Sequence, residues 1–173
     1  MGDVTLRAIP VGEKSKLPLV SVACAITLTG WSESTFRRRF ADGTLERVME
    51  KGGAGRVMVT WASLRPHLAV DWSEVDLPQL LAADVGDPAA QREVALALLA
   101  VGYAKGARQW LVVAAKRNDP EAAYWLCRLH LAGDGVEPDP AAAVRWLGEA
   151  ARLGHAIAQA QIAALSGSGD KVV

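Results

Sequence analysis

Asp119-Pro120-Glu121-Ala122-Ala123-Tyr124-Trp125-Leu126-Cys127-Arg128-Leu129-His130-Leu131-Ala132-Gly133-Asp134-Gly135-Val136-Glu137-Pro138-Asp139-Pro140, continued by Ala141-Ala142-Ala143-Val144-Arg145-Trp146-Leu147-Gly148-Glu149-Ala150-Ala151-Arg152-Leu153-Gly154, is the stretch that decides the architecture. Asp-Pro opens each of its two halves. Aspartate accepts a hydrogen bond from a free amide at a helix start, and proline fits the first helical position because its missing N–H costs nothing there. Gly133, Gly135 and Gly154 stand where the chain must reverse and a positive φ is wanted. The stretch reads as two helices and a turn.

Working outward, the pattern repeats. A shift of 36 residues matches Ala107, Trp110, Leu111, Ala114 and Ala115 with Ala143, Trp146, Leu147, Ala150 and Ala151. It also matches Ala122 with Ala158 and Leu129 with Leu165. A shift of 32 aligns Asp87-Pro88 with Asp119-Pro120, so the first unit is four residues shorter, and the deficit falls in the turn before Trp110. Five helices are expected, at about 88–101, 105–117, 120–132, 140–153 and 156–165. The small residues Ala114, Ala115, Ala150 and Ala151 let neighbours approach closely, with Trp110 and Trp146 filling the space between pairs as core residues.

The pattern Ala122, Leu126, His130, Gly133-x-Gly135-Val136, Asp139, Ala143, Trp146, Ala150-Ala151 and Gly154 resembles a Sel1-like repeat, a relative of the tetratricopeptide repeat. The match runs across 119–154. It is partial over 84–118, which lacks the Gly-x-Gly-Val turn, and Cys127 and His130 stand where the family commonly has Gly and Tyr. The resemblance implies a short α-solenoid of about two and a half helical-hairpin units that serves as a protein-binding scaffold and not as a catalyst. The last helix carries Ile157, Ala160, Ile162 and Leu165 with little charge on any face. Solenoids need polar terminal caps, so this face is expected to be covered by a second copy of the chain. From Ser166 the sequence reads as a flexible tail.

The N-terminal half differs in texture. Residues 1–70 carry ten Lys/Arg against six Asp/Glu, whereas 71–173 carry nine against thirteen, although the whole chain has 19 of each. Opposite signs suggest two domains with different partners. Val20 to Gly30 has helical spacing, with Val22, Ala25 and Ile26 on one side; Gly30-Trp31-Ser32 breaks it. Ser32 or Ser34 caps a second helix to about Ala41, on which Phe36 and Phe40 share the buried face while at least two of Arg37, Arg38 and Arg39 face solvent. Asp42-Gly43 ends it. β-like runs follow at Leu45–Met49 and Arg56–Thr60, joined by Lys51-Gly52-Gly53-Ala54-Gly55, and Trp61-Ala62-Ser63-Leu64 starts a closing helix.

Gly30-x-Ser32-x-Ser34-Thr35-Phe36-x-Arg38-x-Phe40-x-x-Gly43-x-Leu45, with Arg56-Val57 and Ala62-x-Leu64 behind it, resembles an excisionase-like or MerR-like winged helix-turn-helix over about 20–68, with a longer and more glycine-rich hairpin. The resemblance implies that the second helix enters the major groove of duplex DNA. It places Glu33, Ser34, Thr35, Arg37 and Arg38 near DNA, with Lys51 and Arg56 on the wing reaching a flanking phosphate. Arginine can grip guanine O6 and N7 bidentately, and hydroxyls suit phosphate oxygens. Asp42, Glu46 and Glu50 weaken any such positive patch, and an ordinary solvated face is the competing reading.

The fold class expected is therefore mainly α: a small winged helix-turn-helix domain with a short β-hairpin, then the short α-solenoid. The divisions are an arm (1–19), the winged helix-turn-helix (20–69), a packed connector (70–83) in which Pro78 opens a short helical turn, the repeats (84–165) and the tail (166–173). Val4, Leu6 and Ile9 alternate in the arm, which either adds a strand or stays disordered.

Composition and motifs exclude much else. With 51% hydrophobic and 6% aromatic residues the chain can bury a core. No apolar run reaches the ~20 residues that span a bilayer. Two cysteines far apart rule out a disulfide scaffold. Ser21-Val22-Ala23-Cys24 faintly resembles a lipoprotein cleavage site, but only seven residues separate Lys16 from Cys24 and Pro18 interrupts them. His67, His130 and His155 have no second ligand at metal spacing, and neither a dinucleotide nor a phosphate loop is present. No enzyme, cofactor or metal site is expected. The reading is a cytoplasmic DNA-binding regulator whose repeats dimerise or recruit a protein partner. The alternatives are an adaptor in which both domains bind protein and, more weakly, an exported repeat protein.

Overall fold

A computed structural model describes residues 18–49, 56–73 and 76–167. The expectations for the arm before residue 18, the hairpin tip with Lys51, and the tail from residue 168 lie outside the described residues. The chain is mainly helical with one small sheet. In order, the elements are β1 (Leu19–Ser21), α1 (Val22–Thr29), α2 (Glu33–Ala41), β2 (Arg47–Met49), β3 (Val57–Thr60), α3 (Trp61–Leu64) and a 3-10 turn (Arg65–His67). Then follow α4 (Leu77–Val85), α5 (Pro88–Ala100), α6 (Ala104–Ala115), α7 (Pro120–Ala132), α8 (Pro140–Arg152) and α9 (Ala156–Gly167).

The repeat region forms where its punctuation says it should. Asp87, Asp119 and Asp139 each precede a proline and accept a hydrogen bond from the amide three residues on, at Ala90 (2.7 Å), Ala122 (2.8 Å) and Ala142 (2.8 Å). Each such cap stabilises its helix by about 1 kcal/mol. The α5–α6 turn has three residues, 101–103, where the α7–α8 turn has seven, 133–139, so the four-residue deficit sits in the turn before Trp110. Gly86, Asn118 and Gly154 close successive units in the left-handed region, at φ 107°, 65° and 94°. Asparagine thus occupies once the position that glycine fills twice. Hairpins α5/α6 and α7/α8 pack in sequence, and α9 packs on α8. Trp110 is buried and Trp146 half-buried in the core.

The head, residues 18–68, is built differently. β3 is the centre of a three-stranded antiparallel sheet of order β1-β3-β2, with Val20 opposite Val59 and Val48 opposite Met58. Leu19–Ser21 are therefore a strand, not the start of the first helix. Their backbone pairs with β3, whose Val59 stands opposite Val20 and 39 residues further along the chain, a partner that a local helical pattern does not reveal. Ser21 then caps α1 by accepting from the Cys24 amide. The buried face of α1 is Cys24, Ala25 and Leu28, with Val22 and Ile26 only half-covered. That corrects the expected face, because α6 packs on α1 from the other side.

The connector also carries more structure than a short turn. α4 has nine residues, starts at Leu77-Pro78, and packs on both α5 and β1. Its Asp84 carboxylate takes two hydrogen bonds from Ser21, one from the amide (2.7 Å) and one from the hydroxyl. On the far side of the joint, α6 lies so close to α1 that a Cβ on Gly106 would sit 2.8 Å from the Thr27 carbonyl oxygen. Tyr103 fills the same seam against Gly30. Head and repeats share one continuous core.

Candidate interaction surfaces

α2 starts at Ser32, whose hydroxyl accepts from the Thr35 amide (3.2 Å). The same hydroxyl hydrogen-bonds the side chains of Ser34 (2.8 Å) and Thr35 (3.0 Å), so these hydroxyls already have partners within their own turn. Phe36 is buried and Phe40 half-buried, their rings 6.2 Å apart. Arg37 and Arg38 are exposed. Arg37 meets Glu33 one turn back at 3.4 Å, with both side chains in solvent, an arrangement that contributes little. Arg39 instead lies over Trp31, 4.2 Å from the ring centre, and Trp31 packs on His67 and Phe36. Two of the three arginines therefore face solvent and the third closes the core.

A groove of about 360 Å³ runs between α1, α2 and the hairpin. Val22, Ile26, Phe36, Phe40 and Val57 form its floor, and Arg37, Arg47 and Glu33 stand at its rim. Asp42 ends α2 with a carboxyl held below the usual range by hydrogen bonds from the Thr44 side chain and amide, and next to Arg39 and Arg38.

Arg56 stands elsewhere. It lines a second cleft, of about 220 Å³, with Ser21, Cys24, Asp84, Gln91 and Trp110, between head and repeats. Cys24 is buried in that wall, and burial, then the Asp84 charge, pushes its thiol well above the usual range. It is an inert core thiol in α1. Neither cysteine is in a disulfide.

The third surface is the open end of the repeats. Ile157, Ala160 and Leu165 are exposed and Ile162 is half-buried. Leu165 and Ala164 border a recess of about 400 Å³ with Cys127, Leu131 and Leu147, and Leu131 is itself 61% exposed. α9 has no charged residue; its polar side chains are Gln159, Gln161 and Ser166, and Gln161 borders the same recess. His155 caps α9 by accepting from the Ala158 amide (3.2 Å), stacks on Tyr124 and meets Glu121 at 3.0 Å.

Among the described residues, no group of three or more His, Cys, Asp or Glu side chains is placed to hold a metal ion. None of their helices is long and apolar enough to cross a membrane. Sequence reasoning missed the groove and the Ser21–Asp84 clasp. A signal for the clasp existed: Asp84 is the one acid in the apolar run Leu80 to Val85.

Comparison with known protein families matches the Sel1 repeat to residues 120–155, the span from the start of α7 to the cap of α9. No curated protein and no solved structure matches the chain. A Sel1 repeat indicates protein–protein interaction in general terms.

Proposed function

We propose that the protein is a non-catalytic adaptor of the cytoplasm whose two regions both hold protein. The observation that carries this reading is the Sel1 repeat at 120–155, set in a stack of helices in which each packs on the next. Stacked hairpins supply an extended surface and leave chemistry to the partner. A photo-reactive residue in place of the exposed Leu131 tests it: a discrete protein cross-linked in cells is expected, and its absence counts against the adaptor.

The uncharged α9 face gives the repeats a second role, pairing two copies of the chain through Ile157, Ala160, Ile162 and Leu165. Light scattering at tens of micromolar is expected to give twice the chain mass, and Leu165→Lys to halve it. A single-chain mass in the unmodified protein removes the dimer.

A second reading, a DNA-binding regulator, is favoured by one observation: Arg37 and Arg38 are exposed on α2, a helix that follows α1 after a short turn and precedes the hairpin. The resemblance to a winged helix-turn-helix would put them in the major groove. Binding to mixed duplex DNA at two salt concentrations separates the readings. A regulator loses affinity steeply with salt, and the doubly substituted Arg37→Ala, Arg38→Ala protein shows a shallower slope. An adaptor binds no duplex at low salt.

A further inference from the structure

We infer that the groove between α1, α2 and the β2–β3 hairpin holds an acidic protein segment that inserts one or two large apolar side chains. The inference rests on the adaptor reading and gives the head its partner chemistry.

The groove's shape and lining select the occupant. Its volume, about 360 Å³, lies in the range of sites that enclose a ligand group, and its floor is apolar. Val22, Ile26, Phe40 and Val57 are each only partly covered by the chain itself, so they gain most from an apolar side chain laid on them. The rim is basic on balance. Among the residues that line the groove, Arg47 and Arg37 outnumber the one acid, Glu33, and the Arg37–Glu33 contact is open to water on both sides. Arg38 extends the positive side along α2. A segment with carboxylates beside its apolar anchors answers both features, whereas a basic segment meets like charge at the rim. Duplex DNA would satisfy the arginines but leave the floor empty, because its apolar projections, the thymine methyls, lie inside its own major groove.

Two substitutions probe the groove while leaving the core intact. Ala23 is exposed on α1 and lines the groove, so Ala23→Trp fills it from the surface. Arg47 is exposed on the edge strand β2, so Arg47→Glu reverses the rim. The experiment is fluorescence anisotropy on the full chain with a labelled acidic peptide that presents two leucines one helical turn apart. A peptide with lysine in place of every acid, and a mixed-sequence duplex, are the comparisons. Circular dichroism melts confirm that each variant folds. The acidic peptide is expected to bind, the lysine peptide not to, and each substitution to weaken binding at least about tenfold.

The inference is overturned by no binding of the acidic peptide, by equal binding of the lysine peptide, by indifference to both substitutions, or by a duplex that displaces the peptide. The Leu131 cross-linking arm keeps the two levels apart. Cross-links at the repeats without peptide at the head overturn the groove and leave the adaptor. Duplex binding at the head with no cross-links at the repeats overturns both.

Discussion

The repeats and the head reach their folds by opposite routes. In the repeats α5, α7 and α8 each carry their own Asp-Pro start signal, and every unit touches mainly its neighbour. In the head the helices and strands are short, and β1 is held by a strand and a carboxylate far along the chain. Local signals add up; distant ones must wait for the rest of the structure. The repeats are accordingly a scaffold that other parts lean on, and the head is one of those parts.

The sharpest way to break this contrast is to remove a local signal that also reaches outward. Asp119 caps α7 and is buried, and its other oxygen takes a 2.7 Å ion pair from Arg92 on α5. Asp119→Ala deletes the cap and leaves Arg92 only its exposed partner Glu93, so that a cap and a charge-assisted hydrogen bond are lost, together about 3 kcal/mol. In a thermal melt that is a fall of roughly 6–12 °C. A loss under 1 kcal/mol would mean that the caps matter less than the packing.

The next test is directional. Asp84→Ala removes the clasp on Ser21 and is expected to cost about 2 kcal/mol, as charge-assisted hydrogen bonds do. Hydrogen exchange should show protection lost in β1 and α1 and kept in α7 and α8. Equal loss in both regions would erase the distinction between scaffold and dependent part.

The third uses pH. The folded state holds the Cys24 thiol neutral, above the ordinary value of about 8.5, while the unfolded chain ionises it freely. Stability is therefore fully present below that ordinary value and lost as pH rises toward the folded one. Near pH 9.5 the unmodified protein should have lost about 1 kcal/mol more than Cys24→Ala does over the same range. Parallel pH curves would mean that water reaches the thiol in the head.

The smallest effect lies in the repeats. Asn118 sits at φ 65° where Gly86 and Gly154 stand in the other units. Asn118→Gly relieves that conformation and should raise stability by about 0.5 kcal/mol in denaturant melts, making the units more alike. A decrease would show that the asparagine side chain has a role of its own.

These differences also explain what could be read in advance. The three Asp-Pro caps, the shortened α5–α6 turn and all five repeat helices were legible because each depends on residues a few positions apart. The α2 cap was legible as Ser32 or Ser34, of which the structure uses Ser32, and the Phe36/Phe40 pair was legible for the same reason. β1 was not, since Leu19-Val20-Ser21 becomes a strand only beside β3. Nor was the groove, whose walls come from four elements, or the position of Arg56, which depends on how α4, α5 and α6 meet the head. Which of the three arginines turns inward was not legible, because the position of Arg39 over Trp31 arises only in three dimensions.

The Ser21–Asp84 clasp has a consequence in time. The two residues are 63 positions apart, and ribosomes add about 5–20 residues per second. Ser21 therefore leaves the ribosome some 3–13 s before Asp84 does. During that interval β1 can pair with β3 once Thr60 has emerged, but the start of α1 has no anchor on the repeat side. The joining of the head to the repeats is thus set by the pace of synthesis, and slowing translation between Thr60 and Asp84 lengthens the period in which the start of α1 is open.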